Sequence, residues 1–325
     1  MGRKQPRTGR RPAPLPVREG LNPTRLRLPA LPPGEGPATV LGHLLDRFAD
    51  DHARLLEKVA AREVVDDDGT PIDDATPYAT GMFVYLYRDP PVELPIPFGI
   101  DILHHDGSLL VVDKPHFLAT TPRGMYVTET ALVRLRRELD LPDLSPLHRL
   151  DRVTAGVLAF SVDRTQRGAY QQLFARREVT KTYLALARHD PGLTFPRSVE
   201  SHLVKERGTP VAHEGPGAPP NSRTDIEMID IDRDLALYRI RPHTGRTHQI
   251  RVHMASLGLP ILHDPFYPTL TDPDPRDFSR PLQLLAETLA FTDPFTDEPR
   301  HFATRRTLQH WTGRGTAAER PPANG

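Results

Sequence analysis

From about Phe98 onward the chain interleaves short apolar strands with helical patterns, but not in the regular strand–helix–strand repeat of a doubly wound fold. "DGSLLVVDKP" reads as a turn, a strand and a stop at Pro115. "TETALVRLRREL" reads as a helix with Thr128 or Thr130 as its cap. "AGVLAFSV" is a buried strand, and "RTQRGAYQQLFARRE" is an amphipathic helix with Tyr170, Leu173 and Phe174 inward. "TKTYLALAR" alternates Tyr183, Ala185 and Ala187 against Leu184 and Leu186, which is the period of a strand. After a Gly/Pro-rich loop over residues 215–220 come the strands "TDIEMIDID" and "LALYRIRP". "GRTHQIRVHMASLG" is a helix closed by Gly258, with Ile250, Met254 and Leu257 on one face, and "LQLLAETLAFTDP" is a late strand. This order predicts an α+β fold with a mixed, mainly antiparallel central sheet flanked by helices. No internal repeat is present.

The 325 residues, 38% of them hydrophobic, suffice for one large domain and a smaller appendage. No apolar run reaches the length of a membrane span, and the Arg- and Pro-rich start lacks the apolar core of a secretory signal. The absence of cysteine excludes disulfides, thiolate metal sites and a Cys nucleophile, and fits a cytoplasmic protein. Lys+Arg and Asp+Glu both number 42, a balance that argues against a dedicated nucleic-acid binder. The distribution is uneven, however. Before Leu28, Arg3, Lys4, Arg7, Arg10, Arg11, Arg18, Arg25 and Arg27 face only Glu19.

That basic stretch sets the domain plan. Residues 1–36 are expected to be a disordered, Pro-rich arm able to attract RNA phosphates. Residues 37–88 form a small unit: "ATVLGHLLDRFADDHARLLEKVAA" has apolar residues at helical spacing, and "EVVDDDGTPIDDATPYATGMFVYLYR" reads as short strands around a turn. Pro90, Pro91, Pro95 and Pro97 make a linker, the main domain spans 98–311, and 312–325 are expected to be a disordered tail.

Three clusters carry chemistry. In "PLHRLDRVTAGVLAFS", Asp151 lies between Arg149 and Arg152, and cations beside a carboxylate favour its ionised form. Such a group serves as nucleophile, base or electrostatic stabiliser, although a structural ion pair is the common outcome for this local pattern. In "RPHTGRTHQIRVH", Arg241, Arg246 and Arg251 stand with His243, His248 and His253, and the Gly245 turn leads into a helix N-terminus that favours an anion. His248 and His253 are five apart, without a HExxH pattern, so no metal site is expected. In "KTYLALA", Tyr183 is either a core tyrosine or a platform on which a base stacks. There is no Walker A loop and no GxSxG elbow.

These clusters, in this order, resemble the RluA-type pseudouridine synthase family, as does the upstream "LLVVDKPHFLATTPRG"; the resemblance covers roughly residues 100–292. It implies an isomerase that turns uridine in RNA into pseudouridine without metal or cofactor, acting on ribosomal or transfer RNA rather than DNA or membranes. The family's essential aspartate falls on Asp151. Arg149 matches the arginine that fills the gap left by the flipped base, Tyr183 the tyrosine that stacks on it, and Arg251 the basic partner of the carboxylate. Ile250 matches an apolar neighbour and Lys181 a supporting lysine. Arg152, Arg246 and His248 are expected to contact substrate. Ala155 stands where the family commonly has Ser, and a small turn residue is retained. Residues 39–88 resemble a degenerate S4-type RNA-binding module, yet carry Asp46, Asp50, Asp51, Glu57, Glu63, Asp66, Asp67 and Asp68, the wrong sign for phosphate. A monomer is the expectation.

Two other functions compete. A non-catalytic RNA-binding or ribosome-assembly protein on the same fold would have no need of Asp151, Tyr183 and Arg251 together. A glycosidase needs a second carboxylate across the bond, for which only Asp264 in "LHDPFY" is available, and it reads as ordering a loop.

Overall fold

The structure, a computed structural model, describes residues 13–31 and 36–312. The chain divides into two units, Met1–Val92 and Glu93–Gly325.

The first unit has a three-stranded antiparallel sheet, β1 (Thr24–Arg27), β2 (Val64–Asp66) and β3 (Phe83–Leu86), in the order β1-β3-β2. Helices α1 (Val40–Arg47) and α2 (His52–Ala60) pack their apolar faces onto it, burying Val40, Leu44 and Leu55 with Val64, Val84 and Leu86. Thr39 caps α1, its hydroxyl oxygen accepting from the Gly42 amide at 3.2 Å. The expected helical stretch is broken at Phe48, where the backbone leaves helical geometry and Ala49–Asp51 make one tight turn. A second difference concerns the basic arm. Residues 1–12 lie outside the described residues, but Thr24–Arg27 form a strand paired with β3, so the arm does not extend to residue 36. Alternating burial along Thr24–Arg27 and the stacking of Arg18 over Tyr87, 3.9 Å from the ring centre, explain the ordering. Most of the expected tail, residues 313–325, also lies outside the described residues.

The second unit begins at Glu93, five residues before the expected start, because the linker itself packs: the Glu93 carboxylate accepts from the amides of Val127, Thr128 and Glu129. Its elements are β4 (Asp101–His105), β5 (Leu109–Lys114), α3 (Ala131–Glu138), β6 (Ser145–Pro146), β7 (Ala155–Ser161), α4 (Arg167–Arg176) and β8 (Thr180–Arg188). They continue with β9 (Arg197–Ser201), β10 (Leu203–Val204), β11 (His213–Glu214), β12 (Ser222–Asp232) and β13 (Leu235–Pro242). Helix α5 (Gln249–Ser256) and strands β14 (Leu284–Thr292) and β15 (Pro299–Ala303) complete the unit.

The central sheet runs β4-β5-β7-β14-β8-β13-β12-β9, with β15 beside β14 and β6 beside β7. All pairs are antiparallel except β7 with β14, so the sheet is mixed and mainly antiparallel, as the strand order in the sequence predicts. The alternation in β8 feeds two cores. Tyr183, Ala185 and Ala187 join the face covered by α3 and α5, and Leu184 and Leu186 join the opposite face. Tyr170 of α4 packs on that opposite side of β7, against Val157 and Ala159.

One glycine fixes the part of the sheet that matters most. Gly156 has φ of 109°, and a Cβ there would lie 2.2 Å from the Ala286 carbonyl oxygen. No other residue allows β7 to meet β14 this closely, and the loop carrying Asp151 enters β7 immediately before it.

Candidate active site

The loop ahead of β7 is pinned from below. The Thr154 amide donates to the Asp151 carbonyl at 3.1 Å, closing a turn. Thr120 brackets Leu150, donating to its carbonyl at 2.7 Å and accepting from its amide at 3.1 Å. Lys114, wholly buried at the end of β5, donates to the carbonyls of Pro115 at 2.8 Å and Leu118 at 2.7 Å, and reaches that of Arg152 at 3.5 Å. Burial pulls the Lys114 ammonium down to about 7, against the opposing pull of the Asp151 charge.

Asp151 projects from this loop with about 30% of its side chain exposed. The cation that reaches it comes from α5, a hundred residues away: Arg251 Nη1 donates to Asp151 Oδ2 at 3.0 Å. Arg251 is itself buried. Its Nε and Nη2 donate to the two oxygens of Asp264, at 2.8 and 2.6 Å, and Asp264 is completely enclosed. Burial opposes the Arg251 charge, but the hydrogen bonds to Asp264 and Asp151 more than offset it, so its pKa is raised. The rings of Phe266 and Tyr267 flank the guanidinium at 4.9 and 5.3 Å.

Helix α5 is not simply amphipathic. Ile250 and Met254 enter the core as their spacing predicts, but Gln249, Arg251 and His253 are buried as well. Each is satisfied. Gln249 donates to the Arg223 carbonyl and to Thr224, and its carbonyl oxygen accepts from Thr244 and the Arg246 amide. His253 lies among the hydroxyls of Thr224, Ser201 and Ser222 at 2.8 to 3.0 Å. These bonds fix the helix, and hence Arg251, relative to β12.

The nine residues singled out in the sequence, Asp151, Arg251, Tyr183, Arg149, Arg152, Lys181, Arg246, Ile250 and His248, all line one open cleft of about 1540 Å³. Tyr183 and Ile250 are buried in its wall. Burial, with the Asp151 charge adding to it, pushes the Tyr183 phenol well above its usual range, so it is a neutral phenol. Arg149 and Arg246 are exposed at the rim, and Arg152 lies 5.0 Å over the ring of Tyr126. Burial lowers the pKa of Lys181. Arg123, Arg177, Lys205, Arg223 and Arg241 also line the cleft, while Asp151 is the sole carboxylate among the lining residues. A chain of zero net charge thus concentrates cations around one acid.

Several contributors are not evident from the motifs alone. Asp264 reads as a loop-ordering residue and does accept from the Phe266 and Tyr267 amides, but its main partner is Arg251. Lys114, Tyr126 and Tyr267 carry no sequence signal beyond their place near the motifs. Among the described residues no three His, Asp or Glu side chains are grouped as metal ligands, and no helix is long and apolar enough to cross a membrane.

A sequence model described as RNA pseudouridylate synthase matches residues 108–256. The chain is 31% identical over 214 residues to the Yersinia pestis "Dual-specificity RNA pseudouridine synthase RluA", spanning 62% of this chain and 96% of that one. The protein of the same name from Escherichia coli K12 is 32% identical over 205 residues, spanning 59% and 87%. Among solved structures, "Human RNA Pseudouridylate Synthase Domain Containing 4" aligns with a TM-score of 0.50 at 25% identity, covering 65% of this chain and 89% of its own. "Human RNA Pseudouridylate Synthase Domain Containing 1" shares the fold with a TM-score of 0.53 at 24% identity, covering 66% and 86%. The chain therefore belongs to the RluA-type RNA pseudouridine synthases, isomerases that convert uridine in RNA to pseudouridine.

Proposed function

We propose that this protein isomerises particular uridines of ribosomal or transfer RNA, as a monomer in the cytoplasm, with Asp151 as the reacting group. The supporting observation is that the one carboxylate lining a cleft rich in Arg and Lys is held by a buried arginine at 3.0 Å. The reaction breaks the C1′–N1 bond, turns the base and joins C1′ to C5. The C5 proton leaves and N1 gains one, so no other reactant is consumed. Asp151 either attacks C1′ or removes the C2′ proton to give a glycal, and the hydrogen bond from Arg251 aims the carboxylate in both routes.

The target base has to leave its stack to reach Asp151. Tyr183 compensates by stacking on it, a contribution of about 1–3 kcal/mol. As a neutral phenol it is a platform rather than a phenolate base. Arg149 occupies the space the base vacates. Arg152, Lys181 and Arg246 contact the RNA backbone, and Ile250 packs beside the reacting carboxylate. The N-terminal unit is read as an S4-like module whose acidic surface has weakened its hold on RNA, leaving the basic residues before Leu28 to take part in binding.

Total RNA from a strain lacking the gene, treated with wild-type protein or Asp151→Asn and mapped by carbodiimide-dependent stops, tests this. A new stop with the wild type alone supports the assignment and names the RNA. Stops with both proteins reject Asp151, and none with either, from folded protein that binds RNA, favours a non-catalytic RNA-binding or ribosome-assembly role.

A further inference from the structure

His248 faces Asp151 across the cleft, and the chemistry above gives it no defined task. It precedes α5 with a left-handed backbone, φ of 55°, a conformation few side-chain-bearing residues adopt. Phe266, at 5.5 Å between ring centres, and Tyr267, edge-on at 5.8 Å, hold the imidazole in place.

The hydrogen bonds around Tyr267 decide which ring nitrogen carries the proton. The Tyr267 hydroxyl donates to the Ala212 carbonyl at 2.7 Å and accepts from the Ala212 amide at 2.9 Å. A phenol has one hydrogen and two lone pairs, so only a lone pair remains for His248 Nδ1, 2.9 Å away. Nδ1 is therefore the protonated nitrogen. Burial keeps the ring neutral, against the pull of Asp151. Nε2 is left as a bare acceptor, 3.8 Å from Asp151 Oδ2.

That distance is too long for a hydrogen bond between them, and both atoms are acceptors. Two facing acceptors repel mildly, and a donor that bonds to Nε2 relieves this. A uridine within RNA offers two donors, the base N3–H and the 2′-hydroxyl. Asp151 has to reach C1′ or C2′ in either route. The 2′-hydroxyl is attached to C2′, whereas N3–H is two ring bonds from N1 and points away from the ribose. The hydroxyl is the donor that fits.

We propose that His248 Nε2 accepts a hydrogen bond from the 2′-hydroxyl of the target nucleotide, and that this contact makes the cleft select ribose over 2′-deoxyribose. The inference rests on the pseudouridine synthase reading of Asp151. It adds the substrate group that His248 recognises and the discrimination that follows, since the 2′-hydroxyl is the feature that separates RNA from DNA at a single nucleotide.

The test uses full-length protein and a short RNA containing a mapped target uridine. KM for this RNA is compared with the competitive Ki of the same RNA carrying 2′-deoxyuridine at the target, for wild type, His248→Ala and His248→Gln. Turnover of the uridine RNA by the wild type checks the underlying synthase reading separately. The wild type is expected to give a Ki at least tenfold above KM. In His248→Ala the two converge, because KM rises and Ki does not. Glutamine, whose side-chain oxygen restores an acceptor, recovers part of the ratio; its behaviour decides the matter if the alanine variant does not fold. A wild-type ratio near one, or variants in which KM and Ki rise together, would overturn the assignment and leave His248 a purely structural residue.

Discussion

Asp264 and Arg251 form a fully enclosed bidentate ion pair, and the remaining terminal nitrogen of the same guanidinium holds Asp151. One planar fork thus joins an inert carboxylate to the proposed reactive one. The geometry needs arginine, because a lysine ammonium cannot present donors in two fixed directions in one plane. Asp264→Asn keeps the shape but removes the charge that orients the fork. It should lower kcat at least tenfold and destabilise the protein by less than the roughly 3–5 kcal/mol that a wholly unpaired buried charge costs, because Asp151 stays paired with the guanidinium. Urea melts and single-turnover rates measure the two effects, and a variant with wild-type kcat would show that Arg251 needs no anchor.

Tyr183 lines the cleft and packs against the core behind it. Tyr183→Phe retains the ring face and should keep kcat/KM within a few-fold. Tyr183→Ala should lose about 10- to 100-fold, equivalent to one base-stacking interaction of roughly 1–3 kcal/mol. Equal activity of the two variants would reject the platform role.

The sheet was legible because its strands alternate cleanly: the β8 pattern of Tyr183, Ala185 and Ala187 against Leu184 and Leu186 maps onto two separate cores. The helix carrying Arg251 was only half legible. Periodicity finds Ile250 and Met254, but a buried Gln249 or His253 looks, in sequence, like a solvent-facing residue. Its burial depends on Thr224, Ser201 and Ser222 arriving from strands 25 or more residues away. Asp151 illustrates the same limit. Its sequence neighbours suggest a local pair with Arg149 or Arg152, and only the long-range resemblance points to Arg251. The break at Phe48 was invisible for another reason: the apolar spacing before and after it is in helical phase, and the turn shows only in the backbone.

The cleft's charge predicts how RNA binding responds to salt. Arg246 is an exposed residue of the cleft, and its Nε donates to the Asn221 carbonyl at 3.3 Å. Arg246→Ala should weaken binding and reduce the slope of log K against log salt by about 0.7–0.9, one phosphate's share. Filter binding across a salt series measures this. A slope unchanged within 0.2 would place Arg246 away from the RNA.

Acid sensitivity follows in large part from the three histidines whose pKa burial pushes lowest. Burial lowers His148 from 6.5 to about 3, and His116 and His253 to about 4. The His148 case has a visible cause: its Nε2 accepts the Ala159 amide at 3.2 Å, which a protonated ring cannot do. Above about pH 6.5 neither the folded nor the unfolded chain protonates these rings, so they add no pH dependence. As pH falls through 6.5 towards 4, the unfolded chain binds a proton at each of these three sites that the folded chain refuses. Stability then declines by about 1.4 kcal/mol per pH unit for each histidine. The contribution of these rings to the urea midpoint should therefore be nil from pH 8 to 7 and fall steeply from pH 6 to 5. His148→Gln, which keeps an acceptor for the Ala159 amide without a titrating group, should remove one histidine's share, about 1.4 kcal/mol per pH unit. A wild-type midpoint independent of pH down to 5 would mean that these rings are protonated within the fold.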